Sequence, residues 1–151
     1  MTTLKDQLSA DLTAALKARD QITTSTLRLA LAAVGVAEVA GKEKRQLSDD
    51  EVLAVLKKEA KKRVEAATAF ADAGRAEQAA KERAEEAILA KYLPAQLSDD
   101  EIVALVSQVL TEGGFSGKGA MGQAMKAVQA AVAGRADGAK VAAEVRRQLG
   151  V

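Results

Sequence analysis

At 151 residues the chain is long enough for one domain, or one domain with a small appendage, that buries most of its apolar side chains. Its 22 basic and 21 acidic residues leave a net charge of +1, so no global field draws it to nucleic acid or an anionic membrane, and such binding needs a local patch. Cysteine and histidine are both absent, which excludes disulfides, thiolate chemistry and the commonest transition-metal ligand. No apolar run reaches the ~20 residues of a membrane span, and the N-terminus lacks the apolar core of a signal peptide. A protein of a reducing cytoplasm is expected, with no membrane partner.

One proline, 2% aromatics and an excess of Ala, Leu, Glu, Lys, Arg and Gln favour helix and leave little from which to build a sheet. The fold class is therefore all-α. In the first helix Leu4, Leu8, Leu12 and Leu16 step by four, and Asp20 caps the second. That helix carries Ile22, Leu27, Leu31 and Val34 inward, with Leu29 and Val36 besides, so it is expected to be the central and most buried helix of the N-terminal half. Arg28 in its middle must then snorkel outward or find a carboxylate, for which Glu59 is a candidate.

The third helix starts at a hexapeptide, Q-L-S-D-D-E, that occurs at Gln46–Glu51 and again at Gln96–Glu101. Ser48 and Glu51 match a capping box, and the two aspartates complement the positive end of the helix dipole. A carboxylate metal site is the competing reading. Consecutive Asp-Asp-Glu lacks the alternating oxygen ligands and turn glycine of a calcium loop, so no metal is assigned. The helix should run to Ala73 and stop at Gly74. Its inward stripe reads Leu53, Leu56, Ala60, Val64, Ala67 and Ala71, with Lys57, Lys58, Lys61 and Lys62 on the opposite side. Four lysines together form a solvated face or a phosphate-contacting surface. A fourth helix, Arg75 to about Lys91, reverses direction and packs through Ala76, Ala80, Ala84, Ala87 and Ile88.

Pro94 ends that unit, and the second capping box at Ser98 begins another. The expected domains are residues 1–93, of about four helices with a long hairpin, and residues 94–151, a three-helix bundle. In the latter, Ile102, Leu105, Val106, Val109 and Leu110 face inward before Gly113 and Gly114 end the fifth helix. Met121, Met125, Val128 and Val132 mark the sixth, closed by Gly134. Asp137 caps the seventh, with Val141, Val145 and Leu149 inside.

G-K-G-A-M-G, from Gly117 to Gly122, satisfies the dinucleotide pattern literally, but the strand that must feed it is missing, and the P-loop pattern fails at Glu112 and Gly119. No cofactor is assigned. Gly117 and Gly119 read as a loop leading into a helix, and Gly122 as a site of close helix packing. Alternatively, exposed glycines beside Lys118 let a sugar-phosphate backbone approach, and the helix start there favours phosphate. Arg135, in G-R-A-D-G, either stays solvated or bonds carbonyls of the preceding helix.

K-Y-L-P-A-Q-L-S-D-D-E-I (Lys91 to Ile102), G-A-M-G-Q-A-M-K (Gly119 to Lys126) and G-R-A-D-G-x-x-V-x-x-x-V-R (Gly134 to Arg146) resemble the GatB/YqeY family. K-K-E-A-K-K-R-V-E-A-A-T-A-F-A-D-A-G-R (Lys57 to Arg75) is similar to its long-helix segment. The likeness covers about Leu4 to Gly150 and, by length, points to the free-standing YqeY-like members, which lack the catalytic cradle present in the tRNA-dependent amidotransferase. The resemblance implies an all-helical N-terminal part and a three-helix tail. It also implies contact between the tail and transfer RNA, because the related tail of the amidotransferase contacts the body of its tRNA. The family label further implies a carbon–nitrogen ligase using glutamine as amido-N-donor.

The residues give that chemistry little to work with, since glutamine hydrolysis needs an activated nucleophile and carboxylate activation a phosphate cradle. A Ser116–Lys118 pair is the one arrangement left, and no catalytic residue is assigned. The expectation is a non-catalytic module that binds tRNA or a tRNA-handling enzyme, with Lys118, Gly119, Lys126, Arg135, Lys57, Lys58, Lys61 and Lys62 as candidate contacts; DNA is not expected. With only Phe70, Tyr92 and Phe115 as aromatics, recognition would rest on shape and phosphates.

Overall fold

The computed structural model describes residues 2–151. Among them are seven α-helices and one 3-10 turn, with no strand. The chain divides into two compact units, Met1–Leu93 and Pro94–Val151.

The first unit holds α1 (Leu4–Ala18), α2 (Gln21–Glu38), α3 (Asp49–Asp72) and α4 (Ala76–Ala90). Leu8, Leu27, Ala30, Val34, Val52, Leu56, Ala60 and Leu89 form its core. α3 and α4 make the hairpin, turned by Gly74 at φ 77°. The Arg75 N–H reaches back to the Phe70 carbonyl at 2.8 Å, the long bond of a helix stop built on a left-handed residue.

Several inward assignments shift. On α1, Leu16 is exposed and Ala15 is buried, because a strict four-residue step precesses about 40° per step on a helix of 3.6 residues per turn. On α3 the buried stripe is Val52, Leu56, Ala60, Arg63 and Ala67; Val64 and Ala71 face solvent. On α4 the buried residues are Ala79, Glu85 and Leu89, and Ala76, Ala80 and Ala87 are exposed. Two buried residues outside the expected apolar stripes, Arg63 and Glu85, belong to one feature. Arg63 Nη1 bonds the Glu59 carbonyl at 2.9 Å and the Glu59 carboxylate at 3.0 Å, and its Nε lies 3.4 Å from Glu85 across the hairpin. Burial opposes ionisation of Glu59, yet hydrogen bonds from Arg63 and Lys62 outweigh it and hold the carboxyl below its usual range. Arg28 is exposed and does not take Glu59, whose partners are Arg63 and Lys62.

The second unit holds α5 (Asp99–Gly113), α6 (Met121–Val132) and α7 (Gly138–Leu149). Ile102, Val106, Leu110, Ala124, Val128, Val132, Val141 and Val145 are its buried core, with Leu105, Val109, Met121, Met125 and Leu149 packed around them. Here the apolar spacing read from the sequence matches the inward faces.

Both hexapeptides are capping boxes. The Ser48 hydroxyl accepts from the Glu51 N–H and the Ser98 hydroxyl from the Glu101 N–H, with each glutamate returning to its serine's N–H. Leu47 and Leu97, one place before each cap, pack on clusters that contain Val52 and Ile102, as a hydrophobic staple requires. The first aspartate of each copy then ties its helix to another. Asp49 accepts the Leu4 N–H at 3.0 Å, and Asp99 accepts the Lys140 ammonium at 3.0 Å. These carboxylates are thus engaged as caps and clips, and among the described residues no acidic cluster suited to a metal forms.

Candidate nucleic-acid interface

Local chain chemistry sets up the region around α6. Between Glu112 and Asp137 there is no acidic residue, while Lys118, Lys126 and Arg135 are all cationic. A neutral chain thereby acquires a stretch of one sign.

α5 ends at Gly114 in the left-handed region, φ 65°, and Gly117, φ 76°, turns the chain into the 3-10 turn Lys118–Ala120 that leads into α6. Lys118, Gly119 and Lys126 are exposed. A Cβ at Gly119 would meet nothing within 4 Å, so this backbone is open to close approach from outside. The start of α6 has no side-chain cap, unlike α5 and α7 in the same unit, which use Ser98 and Asp137. The backbone of the preceding turn takes that role: the Ala120 N–H donates to the Gly117 carbonyl at 3.2 Å and the Met121 N–H to the Lys118 carbonyl, so the positive end of the combined helix lies at Lys118 and Gly119. Lys126 sits on α6 itself, about 7.5 Å along the axis from Met121 at the helical rise.

Gly122 is not a packing site. It is exposed, and a Cβ there would meet nothing within 4 Å. The tight glycine is Gly113, where a Cβ would fall 2.3 Å from Phe115 Cε2. Arg135 also differs from an open cation. Its Nε donates to the Val132 carbonyl at 3.3 Å, its own carbonyl accepts the Leu97 N–H at 2.8 Å, and its charge helps lower the Glu101 carboxyl after the hydrogen bonds from Ser98. It holds the loop after α6 against the start of α5.

Ser116 and Gly117 line a shallow cleft of about 280 Å³ with Ser107, Thr111, Phe115 and Gln148. Among the described residues Ser116 and Lys118 make no hydrogen bond to each other, the contact that a nucleophile and its base would share.

The other candidates lie in the first unit. Lys58, Lys61 and Lys62 are exposed and Lys57 is half-buried. Lys62 is paired with Glu59 at 3.2 Å, which removes part of the positive face that four lysines suggested. The aromatics are half-buried, and the Tyr92 hydroxyl donates to Asp11; none stands out as a stacking surface. Among the described residues, no helix is long and apolar enough to cross a membrane.

A family model described as Yqey-like protein matches residues 5–149, nearly the whole chain. No curated protein matches it.

Proposed function

The chain belongs to the Yqey-like protein family, and from that premise we propose that it is a non-catalytic module that holds transfer RNA by its phosphates through Lys118, Gly119 and Lys126. The observation that carries this reading is the acid-free stretch from Gly113 to Ala136, with its two exposed lysines, its open glycine and a helical turn that begins at Lys118. Each is a feature that a phosphate backbone rewards: charge, close approach and the positive end of a helix. The likeness of G-A-M-G-Q-A-M-K and G-R-A-D-G to the amidotransferase tail supports RNA over a free anion. Few aromatics leave shape and phosphate contact as the means of recognition.

Arg135 supports the site from behind, because its guanidinium is already bonded to Val132. The lysines of α3 are secondary contacts at most, with Lys62 neutralised by Glu59. A cytoplasmic location accompanies the reading. The ligase reading requires an activated nucleophile, and a chain without cysteine or histidine offers little to supply one.

A mobility-shift assay at low ionic strength tests the proposal. Transfer RNA should bind more tightly than an unrelated RNA duplex, and the Lys118→Ala/Lys126→Ala variant should bind about tenfold or more weakly. Equal binding of the two RNAs, or no loss in the variant, would remove its basis. Binding of a tRNA-handling enzyme without RNA would move the proposal to that partner.

A further inference from the structure

α2 carries an apolar face that its own unit leaves uncovered. From Gln21 to Ala37 the only charged side chain is Arg28, although 28% of the chain is charged. Leu27, Ala30 and Val34 take one side of the helix into the core. On the other side Ile22 is 42% exposed, Leu29 54%, Val36 68% and Val39, its C-cap, 56%. The helix, apolar around much of its circumference, buries more residues than α1, α3 or α4, as expected, yet this face stays open, and its composition asks for a cover from elsewhere.

The spacing indicates what kind of cover. Ile22, Leu29 and Val36 follow one another at seven-residue intervals, and exposed Ser25, Ala32 and Val39 stand three residues after each. This is the a/d alternation of a coiled-coil seam, about 26 Å long at 1.5 Å per residue. Ser25 and Ala32 are small, so another helix can come close. A continuous apolar strip of this kind on a soluble surface marks an interaction site.

Charge then selects the occupant. Arg28 flanks Leu29, is exposed, and takes part in none of the ion pairs of the described residues. A second copy docking through the same face would bring another arginine and no carboxylate. We infer that α2 docks an amphipathic helix of another protein, one with apolar side chains at heptad spacing and a carboxylate placed to pair with Arg28. The face lies in the first unit, whereas the RNA reading rests on residues of the second, so either stands or fails without the other.

The probe is a labelled synthetic helix of roughly three heptads with leucine at a and d and glutamate on the flank facing Arg28. By fluorescence anisotropy it should bind the full chain, and bind Leu29→Glu about tenfold or more weakly. Exchanging the peptide glutamates for lysine should cost a similar factor, regained against Arg28→Glu. Because both substituted positions are exposed, circular dichroism should show unchanged helix content in each variant. No binding, equal affinity for Leu29→Glu, or a charge swap that restores nothing would overturn the inference. So would a dimer of the chain alone, seen by sedimentation and abolished by Leu29→Glu, or Leu29-dependent capture by anionic vesicles in place of the peptide; these assign the face to a second copy or to lipid.

Discussion

Arg63 and Glu85 face each other across the α3–α4 hairpin with side chains only 7% and 9% exposed, guanidinium Nε 3.4 Å from the carboxylate. Nε makes no hydrogen bond, so the attraction is through charge, while Nη1 is held by Glu59. Burying such a pair costs desolvation that a good geometry only partly offsets, and removing Glu85 leaves the buried Arg63 with Glu59 alone to balance its charge. Glu85→Ala should therefore lose about 2–4 kcal/mol in urea unfolding. Arg63→Met combined with Glu85→Leu should recover part of that loss, since Glu59 then keeps only Lys62, and a double variant as unstable as the single one would refute this account of the hairpin.

Thr26 is fully buried on α2, and its hydroxyl finds no partner among the described residues. An unsatisfied buried hydroxyl costs about 1–3 kcal/mol relative to one left in water. Thr26→Val keeps the shape and removes the cost, so it should raise the urea midpoint with the slope unchanged. A lower midpoint would mean that the hydroxyl is satisfied in solution.

Tyr92 is raised well above its ordinary pKa, first by burial and then by donating its hydroxyl to Asp11. With the folded value above the unfolded one of about 10, the unfolded chain loses the proton first. Stability is then full below pH ~10 and falls as pH rises through and beyond it. Tyr92→Phe should flatten the stability profile between about pH 9.5 and 11 relative to the parent. Identical slopes would place Tyr92 outside this linkage.

Glu51 is the acid counterpart. Its bond from Arg45, then those from Ser48, lower its carboxyl to about 2. A depressed folded value contributes stability above the unfolded pKa of about 4.3, lost as pH falls toward 2. Glu51→Gln should be less stable at neutral pH and show a shallower acid decline over that window, read by circular dichroism.

Local rules made much of this fold legible. Ser48 and Ser98 declared their caps, Gly74 its helix stop and Pro94 an interruption, because each acts within a few residues of itself. The inward faces of α5 to α7 were readable too, since their larger apolar residues, such as Val106, Leu110, Val128, Val132, Val141 and Val145, recur at helical steps. Alanine blurred α4: where most faces carry Ala, only Leu89 and the pairing of Glu85 set the rotation. Arg63 was invisible to an apolar stripe because its burial depends on a carboxylate more than twenty residues away. Lys118 and Gly119 were legible as an exposed glycine-lysine turn, whereas the bond of Arg135 to Val132 needed the three-dimensional turn after α6. Ile22, placed inward by its spacing, is exposed together with Leu29 and Val36, because apolarity shows that a face wants cover and does not say from which molecule.

The salt dependence of tRNA affinity tests the phosphate-binding claim most directly, because each cation that meets a phosphate releases bound counterions. Wild-type affinity should fall linearly on logarithmic axes as salt rises. In Lys118→Gln/Lys126→Gln the slope should be shallower by about 1.4–1.8, at 0.7–0.9 for each lost contact. Parallel lines for the two proteins, with equal affinity, would contradict the claim.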